Sequence, residues 1–156
     1  MPAARIHALL DDRKIPYEVH SHSRAVTAQR LAATEGISGW EVAKPVLVSI
    51  SGELAMLVVP AAVHVDLGLV SEHLGHNEVR LATEDEFVGV FSDCEAGAEP
   101  PFGNLYDVPV FLDERLRSQP RIVCRDGSHT ETLTLAMQDY LAVVEPEIVN
   151  VSAQPA

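Results

Sequence analysis

Two parts of the sequence carry residue types that could do chemistry. The first is the segment 93–103, Asp-Cys-Glu-Ala-Gly-Ala-Glu-Pro-Pro-Phe-Gly. Gly97 and Gly103 permit a positive φ and close approach of a ligand to the backbone. Pro100 and Pro101 remove donors and stiffen the turn. A loop of this kind can aim its remaining N–H groups at a carbonyl or carboxylate oxygen, as an oxyanion site requires. The second is Lys44, which opens the apolar run Pro45-Val46-Leu47-Val48. The proline after it favours an extended backbone. A lysine there stands at the mouth of any pocket built on the sheet, with partial burial lowering its pKa. The plainer readings are a surface connection for the loop and a strand-end lysine reaching solvent.

The seven histidines are scattered. His20 and His22 would share a face of a strand and could join a carboxylate on zinc, but no third ligand is evident and there is no HExxH or paired CxxC. No metal site and no cofactor is therefore expected. His22 and His129 read better as polar groups near a pocket. His73 and His76 suit a helix C-terminus. No GxSxG elbow, Walker A sequence or GxGxxG is present, which disfavours Ser-His-Asp hydrolysis and nucleotide chemistry. Cys94 has no patterned base beside it, so a thiol nucleophile is a minor reading.

These residues need elements to hold them. Ile6, Leu9 and Leu10 mark a short helix ending before Pro16, and Tyr17 and Val19 alternate as in a half-buried strand. Thr27 can cap a helix over 28–35 that stops at Gly36. Residues 42–50 and 53–60 read as a hairpin around Ser51-Gly52. Asp66 can cap a helix carrying Leu67, Val70 and Leu74. Residues 79–82 form a strand, and Thr83 with Glu86 a capping box. A long loop over 92–106 precedes strands at 108–112 and 122–124, with a tight turn at Asp126-Gly127. A helix is expected over 132–143, and a frayed or loosely docked tail from Glu145. The fold expected is α+β (mixed α/β), a curved mixed sheet or barrel flanked by helices.

The 156 residues suit one domain, placed at 1–145 with a tail at 146–156. The net charge of −12 argues against a nucleic-acid coat and leaves room only for local contact with an RNA end. DNA and membrane are not expected partners: the longest apolar run near the middle, 54–65, is far short of the ~20 residues that span a bilayer. Without a signal peptide, and with two distant cysteines, Cys94 and Cys124, a cytoplasmic location is expected.

Taken in order, His-Ser-His-Ser-Arg-Ala-Val-Thr-Ala-Gln (20–29), Val-Ala-Lys-Pro-Val-Leu-Val (42–48), Leu-Ala-Met-Leu-Val-Val-Pro-Ala (54–61), Val-Arg-Leu-Ala-Thr-Glu (79–84), the loop 93–103 and Pro-Val-Phe-Leu-Asp (109–113) resemble the YbaK/EbsC superfamily, also called the prolyl-tRNA-synthetase-associated domain. The resemblance covers about residues 5 to 145. It implies the fold of the editing domain inserted in bacterial prolyl-tRNA synthetases. It also implies hydrolysis in trans of the ester of mischarged tRNA carrying a small noncognate amino acid of the Ala, Ser, Thr or Cys class, with tRNA-Pro as a candidate carrier. Lys44 matches the family's functional lysine and residues 97–101 its GxxxP loop. That makes Lys44 and Gly97 the catalytic candidates. His22, Thr27, Ala98, Pro100, Pro101, Phe102, Gly103, Ser128 and His129 are the candidates for substrate binding. The implied partners are the acceptor end of a mischarged tRNA and an aminoacyl-tRNA synthetase. Several members that remove alanine or cysteine have Asn or Thr after the lysine, where this chain has Pro45, so the general activity carries over better than the amino acid. The alternative is a non-catalytic module that binds an amino acid or aminoacyl group beside a synthetase.

Overall fold

The computed structural model describes residues 4–21, 38–74 and 78–151. Helix α1 (Ala4–Asp12) buries Ile6 and Leu10, one turn apart, as the helical stripe requires. Strand β1 (Glu18–Ser21) follows. It is exposed at all four positions, so the alternation at Tyr17 and Val19 marks a strand but not a half-buried one.

The hairpin is the centre of the fold. Strands β2 (Ala43–Ile50) and β3 (Glu53–Pro60) pair antiparallel from Ala43 opposite Pro60 to Ile50 opposite Glu53. Ser51 and Gly52 both take positive φ, the two-residue turn whose twist matches the strands. The runs are continuously apolar because both faces are covered. Ala43, Leu47, Met56 and Val58 enter one core, while Val48, Ile50, Ala55, Leu57 and Val59 enter a second.

Helix α2 (Leu67–Leu74) covers the second core with Val70, and Asp66 Oδ1 accepts the N–H groups of Gly68 and Leu69 at 2.9 and 3.1 Å. Strand β4 (Val79–Leu81) lies against β2. The expected capping box forms at Thr83 and Glu86 on the short helix α3 (Glu84–Phe87). Glu86 also pairs with Arg80 through two bonds, and its carboxyl is held down at about 2, first by that pairing and then by the Thr83 N–H.

The rest is a 3₁₀ turn (Gly103–Tyr106), β5 (Val110–Asp113), α4 (Glu114–Arg117), β6 (Arg121–Arg125), β7 (Glu131–Ala136), α5 (Met137–Val144) and β8 (Glu147–Val149). One sheet has the order β4-β2-β3-β5-β8, with β3–β5 and β5–β8 parallel; the other has the order β1-β7-β6. A parallel bridge from Val42 to Val123 links them. The described strands thus form two open sheets rather than a closed barrel.

Two expectations give way here. The helix expected over 132–143 begins only at Met137. Residues 131–136 are the central strand of the smaller sheet, hydrogen-bonded to β1 on one side and β6 on the other. The first part of the expected loose tail is ordered: β8 extends the large sheet, Val151 is fully buried, and its N–H donates to Asp113 Oδ2 at 3.2 Å.

Candidate active site

Two irregular segments clasp each other: the loop that carries Gly97 and the turn 126–129 between β6 and β7. The Glu95 N–H donates to the Gly127 carbonyl at 2.8 Å, and the His129 N–H donates to Glu95 Oε2 at 2.9 Å. The Ala98 N–H closes the loop onto the Glu95 carbonyl at 3.0 Å. His129 Nε2 sits 2.7 Å from the Ala96 carbonyl oxygen, and Nδ1 lies 3.4 Å from Arg125 Nη1. A carbonyl only accepts and a guanidinium only donates, so Nε2 carries the proton and Nδ1 accepts. With both nitrogens engaged, this ring is a strut under the loop rather than a proton acceptor. Gly97 has φ +85°, and a Cβ there would lie 3.4 Å from His129 Cε1.

The turn is braced from behind. Asp126 is fully buried, and its Oδ1 accepts both the N–H and the hydroxyl of Ser128, at 3.2 and 3.0 Å. Its Oδ2 lies 3.4 Å from His7 Nε2. Glu131 completes a three-residue group whose potential ligand atoms lie within 4.8 Å of one another. Burial, and then the adjacent Asp126, push the Glu131 carboxyl up. Ser128, expected to line the pocket, is therefore buried with its hydroxyl given to Asp126.

The far half of the loop faces inward. From Ala98 to Gly103 every residue is buried, whereas Ala96 and Gly97 are exposed. The Tyr140 hydroxyl donates to the Pro101 carbonyl at 2.6 Å, and Phe102 stands edge-on to the Tyr140 ring with centroids 5.5 Å apart. Ala98, Pro100, Pro101, Phe102 and Gly103 are thus the foundation of the loop, and Gly97 is what it presents. At Gly103 a Cβ would fall 2.7 Å from the Val108 carbonyl oxygen and 2.8 Å from Val110 Cγ2. Gly103→Ala should accordingly destabilise the protein by about 1–3 kcal/mol, the scale of overpacking. Urea unfolding monitored by circular dichroism checks this, and an unchanged midpoint would contradict it.

Lys44 stands on β2, two residues beyond Val42. Because Val42 bridges in parallel to Val123, β2 and β6 run the same way, so Lys44 and the turn that follows Arg125 lie toward the same end. The Lys44 ammonium donates to the carbonyl oxygen of Val63, and burial lowers its pKa. It is half-buried rather than a strand-end lysine waving in solvent.

Cys94 contacts the Tyr106 hydroxyl at 3.4 Å, and burial pushes its thiol up to about 12. A thiol so held is not a nucleophile near neutral pH. Arg5 pins α1 over this region, donating to Asp93 at 2.9 Å with its guanidinium 4.3 Å from the Tyr106 ring centre. His20 lies 3.4 Å from Glu18 on exposed β1, while His22 and Thr27 fall outside the described residues. A groove lined by Ile50, Leu54, His73, Phe111 and Glu147 lies at the turn end of the hairpin, opposite Lys44, and contains none of the candidate residues.

Residues 22–143 match the aminoacyl-tRNA editing domain family, and the chain belongs to it. It is 24% identical over 151 residues to the multifunctional Ser/Thr-tRNA deacylase ProXp-y of Escherichia coli (strain K12), covering 94% of this chain and 90% of that protein. It is 40% identical over 128 residues to the proline–tRNA ligase of Streptomyces griseus subsp. griseus, and 28% identical over 123 residues to that of Shouchella clausii (strain KSM-K16). The matches cover 78% and 79% of this chain but only 22% and 20% of the ligases, so the chain spans about a fifth of their length. The fold is shared with a solved structure described as a proposed trans-editing enzyme for prolyl tRNA synthetase, with TM-score 0.82, 20% identity and 96% of both chains covered.

Proposed function

We propose that this protein hydrolyses in trans the ester linking a small noncognate amino acid to tRNA, with Lys44 and the Gly97 loop as its site. The observation that carries the reading is the clasp of 95–98 against 126–129, which holds Gly97 exposed at φ +85° above a fixed imidazole. Family membership and the likeness to a Ser/Thr-tRNA deacylase supply the substrate class.

An aminoacyl ester is already activated, so the task is to hold its carbonyl and stabilise charge on the oxygen as water attacks. The Gly97 N–H serves the oxyanion. Lys44 supplies the positive charge that fixes the terminal adenosine end of the tRNA. The vicinal ribose hydroxyl of the substrate serves as proton relay. Positioning then contributes most of the rate. Thiol catalysis through Cys94 is disfavoured by its burial, and His129 serves the loop rather than the proton transfer. The acidic chain meets its tRNA through few phosphates at the acceptor end, in the cytoplasm, with a synthetase as a further partner.

The test is a deacylation panel. Alanyl-, seryl-, threonyl- and cysteinyl-tRNA should be cleaved faster than prolyl- or phenylalanyl-tRNA, with activity retained after exhaustive EDTA treatment. A methylene is worth only ~1–3 kcal/mol in a pocket, so the discrimination should come from steric exclusion of larger groups. Binding without turnover of any acyl group would favour the non-catalytic module. Preference for a bulky aromatic acyl group would contradict the small-substrate reading.

A further inference from the structure

Gly97 is the exposed donor of the loop, but its N–H is already taken. It donates to Glu99 Oε2 at 3.0 Å, and the Glu99 N–H bonds the same carboxylate. The loop therefore already holds an anionic oxygen where the editing reading places the ester carbonyl. Glu99 is 7% exposed.

The neighbouring carboxylates are committed to the framework. Glu95 holds the His129 backbone, and Asp126 holds Ser128. Glu99 differs, because the bonds it makes are to N–H groups of its own loop, one of which the substrate must claim. When an ester carbonyl takes the Gly97 N–H, a buried carboxylate is released beside it. The α-ammonium of an aminoacyl ester sits on the carbon next to that carbonyl. Lys44, itself a cation, cannot receive it.

We propose that Glu99 binds the α-ammonium of the aminoacyl group, exchanging the Gly97 N–H for the substrate's cation, and so restricts the site to esters with a free amino group. This deepens the editing reading and rests on it. Burial raises the Glu99 carboxyl above its ordinary value in spite of the two N–H bonds, so a cation at that position relieves a group short of solvation. The exchange leaves no buried charge unpaired, whereas an N-acylated substrate displaces Glu99 and gives it nothing in return.

The experiment compares the best-cleaved aminoacyl-tRNA of the panel with its N-acetyl derivative, using wild-type protein and Glu99→Gln. Thermal melts establish that the nearly isosteric variant is folded. Wild type should prefer the free-amine substrate by about tenfold or more in kcat/KM, the scale of one charge-assisted contact. Glu99→Gln should lose most of that preference by slowing on the free-amine substrate alone. Equal turnover of the two substrates by wild type, or a full preference retained by folded Glu99→Gln, overturns this assignment while leaving the editing reading intact. No turnover of any aminoacyl-tRNA by folded wild-type protein overturns both.

Discussion

Lys44→Ala should cut single-turnover deacylation by at least ~10²-fold, the scale for removing one electrostatic partner of the transition state. Lys44→Arg should rescue poorly, because a planar guanidinium does not replace a compact ammonium in a tight site. The substitution is not free of structural cost. The ammonium donates to the Val63 carbonyl from a half-buried position, and loss of such a bond should cost about 1–2 kcal/mol. Rates must therefore be read well below the melting temperature of each variant. The pH dependence gives an independent reading. Burial lowers the Lys44 pKa, so the charged form needed for function disappears at lower pH than for an ordinary lysine. After correction for the uncatalysed ester hydrolysis, the wild-type rate should decline on the alkaline side. Lys44→Ala should lack that limb. A folded Lys44→Ala protein with near-normal turnover would remove Lys44 from the site.

What the sequence makes legible here is local. The β2–β3 hairpin, the Asp66 cap and the Thr83–Glu86 box each depend on residues within a few positions of one another, and each forms as the pattern requires. The strand β7 is misread because Thr132, Leu133 and Leu135 suit a strand, yet continue without a turn residue into Met137, Tyr140 and Leu141, which suit a helix. Only pairing to both β1 and β6 decides between them. The site divides along the same line. Gly97 and Lys44 are conspicuous by type and neighbours. The brace behind them is not: His7 and Asp126 are 119 positions apart, and no spacing rule connects them. Arg125 and Glu99 also escape notice, since a single charged residue in an apolar strand or a proline loop has many explanations. The one signal for Glu99 is its position two residues after a glycine, from which a carboxylate can turn back onto the Gly97 N–H. The burial of Pro100 through Gly103 is likewise not legible locally, because Tyr140, far along the chain, packs on Phe102 and donates to the Pro101 carbonyl.

Gly97→Ala should cost turnover out of proportion to its cost in stability. At φ +85° an alanine is strained by about 1–2 kcal/mol, and its Cβ would rest against His129 Cε1 at 3.4 Å. The loop cannot relax outward without loosening the bond from His129 to the Ala96 carbonyl, nor inward without displacing the ring that Arg125 holds. Relief of the φ strain should turn the Gly97 N–H from its present direction, which removes an oxyanion donor. Such a loss costs about 10²–10³ in kcat. Strain alone does not predict this, and Gly52→Ala isolates it. Gly52 has a similar φ of +87°, and a Cβ added there would meet no atom within 4 Å. It lies at the hairpin turn, the end of β2 remote from Lys44. The two variants should lose comparable stability in urea unfolding, while only Gly97→Ala loses turnover. Were both to retain activity, the N–H of Gly97 would not serve the ester oxygen. Were Gly52→Ala equally inactive, the effect at Gly97 would be one of stability rather than of chemistry.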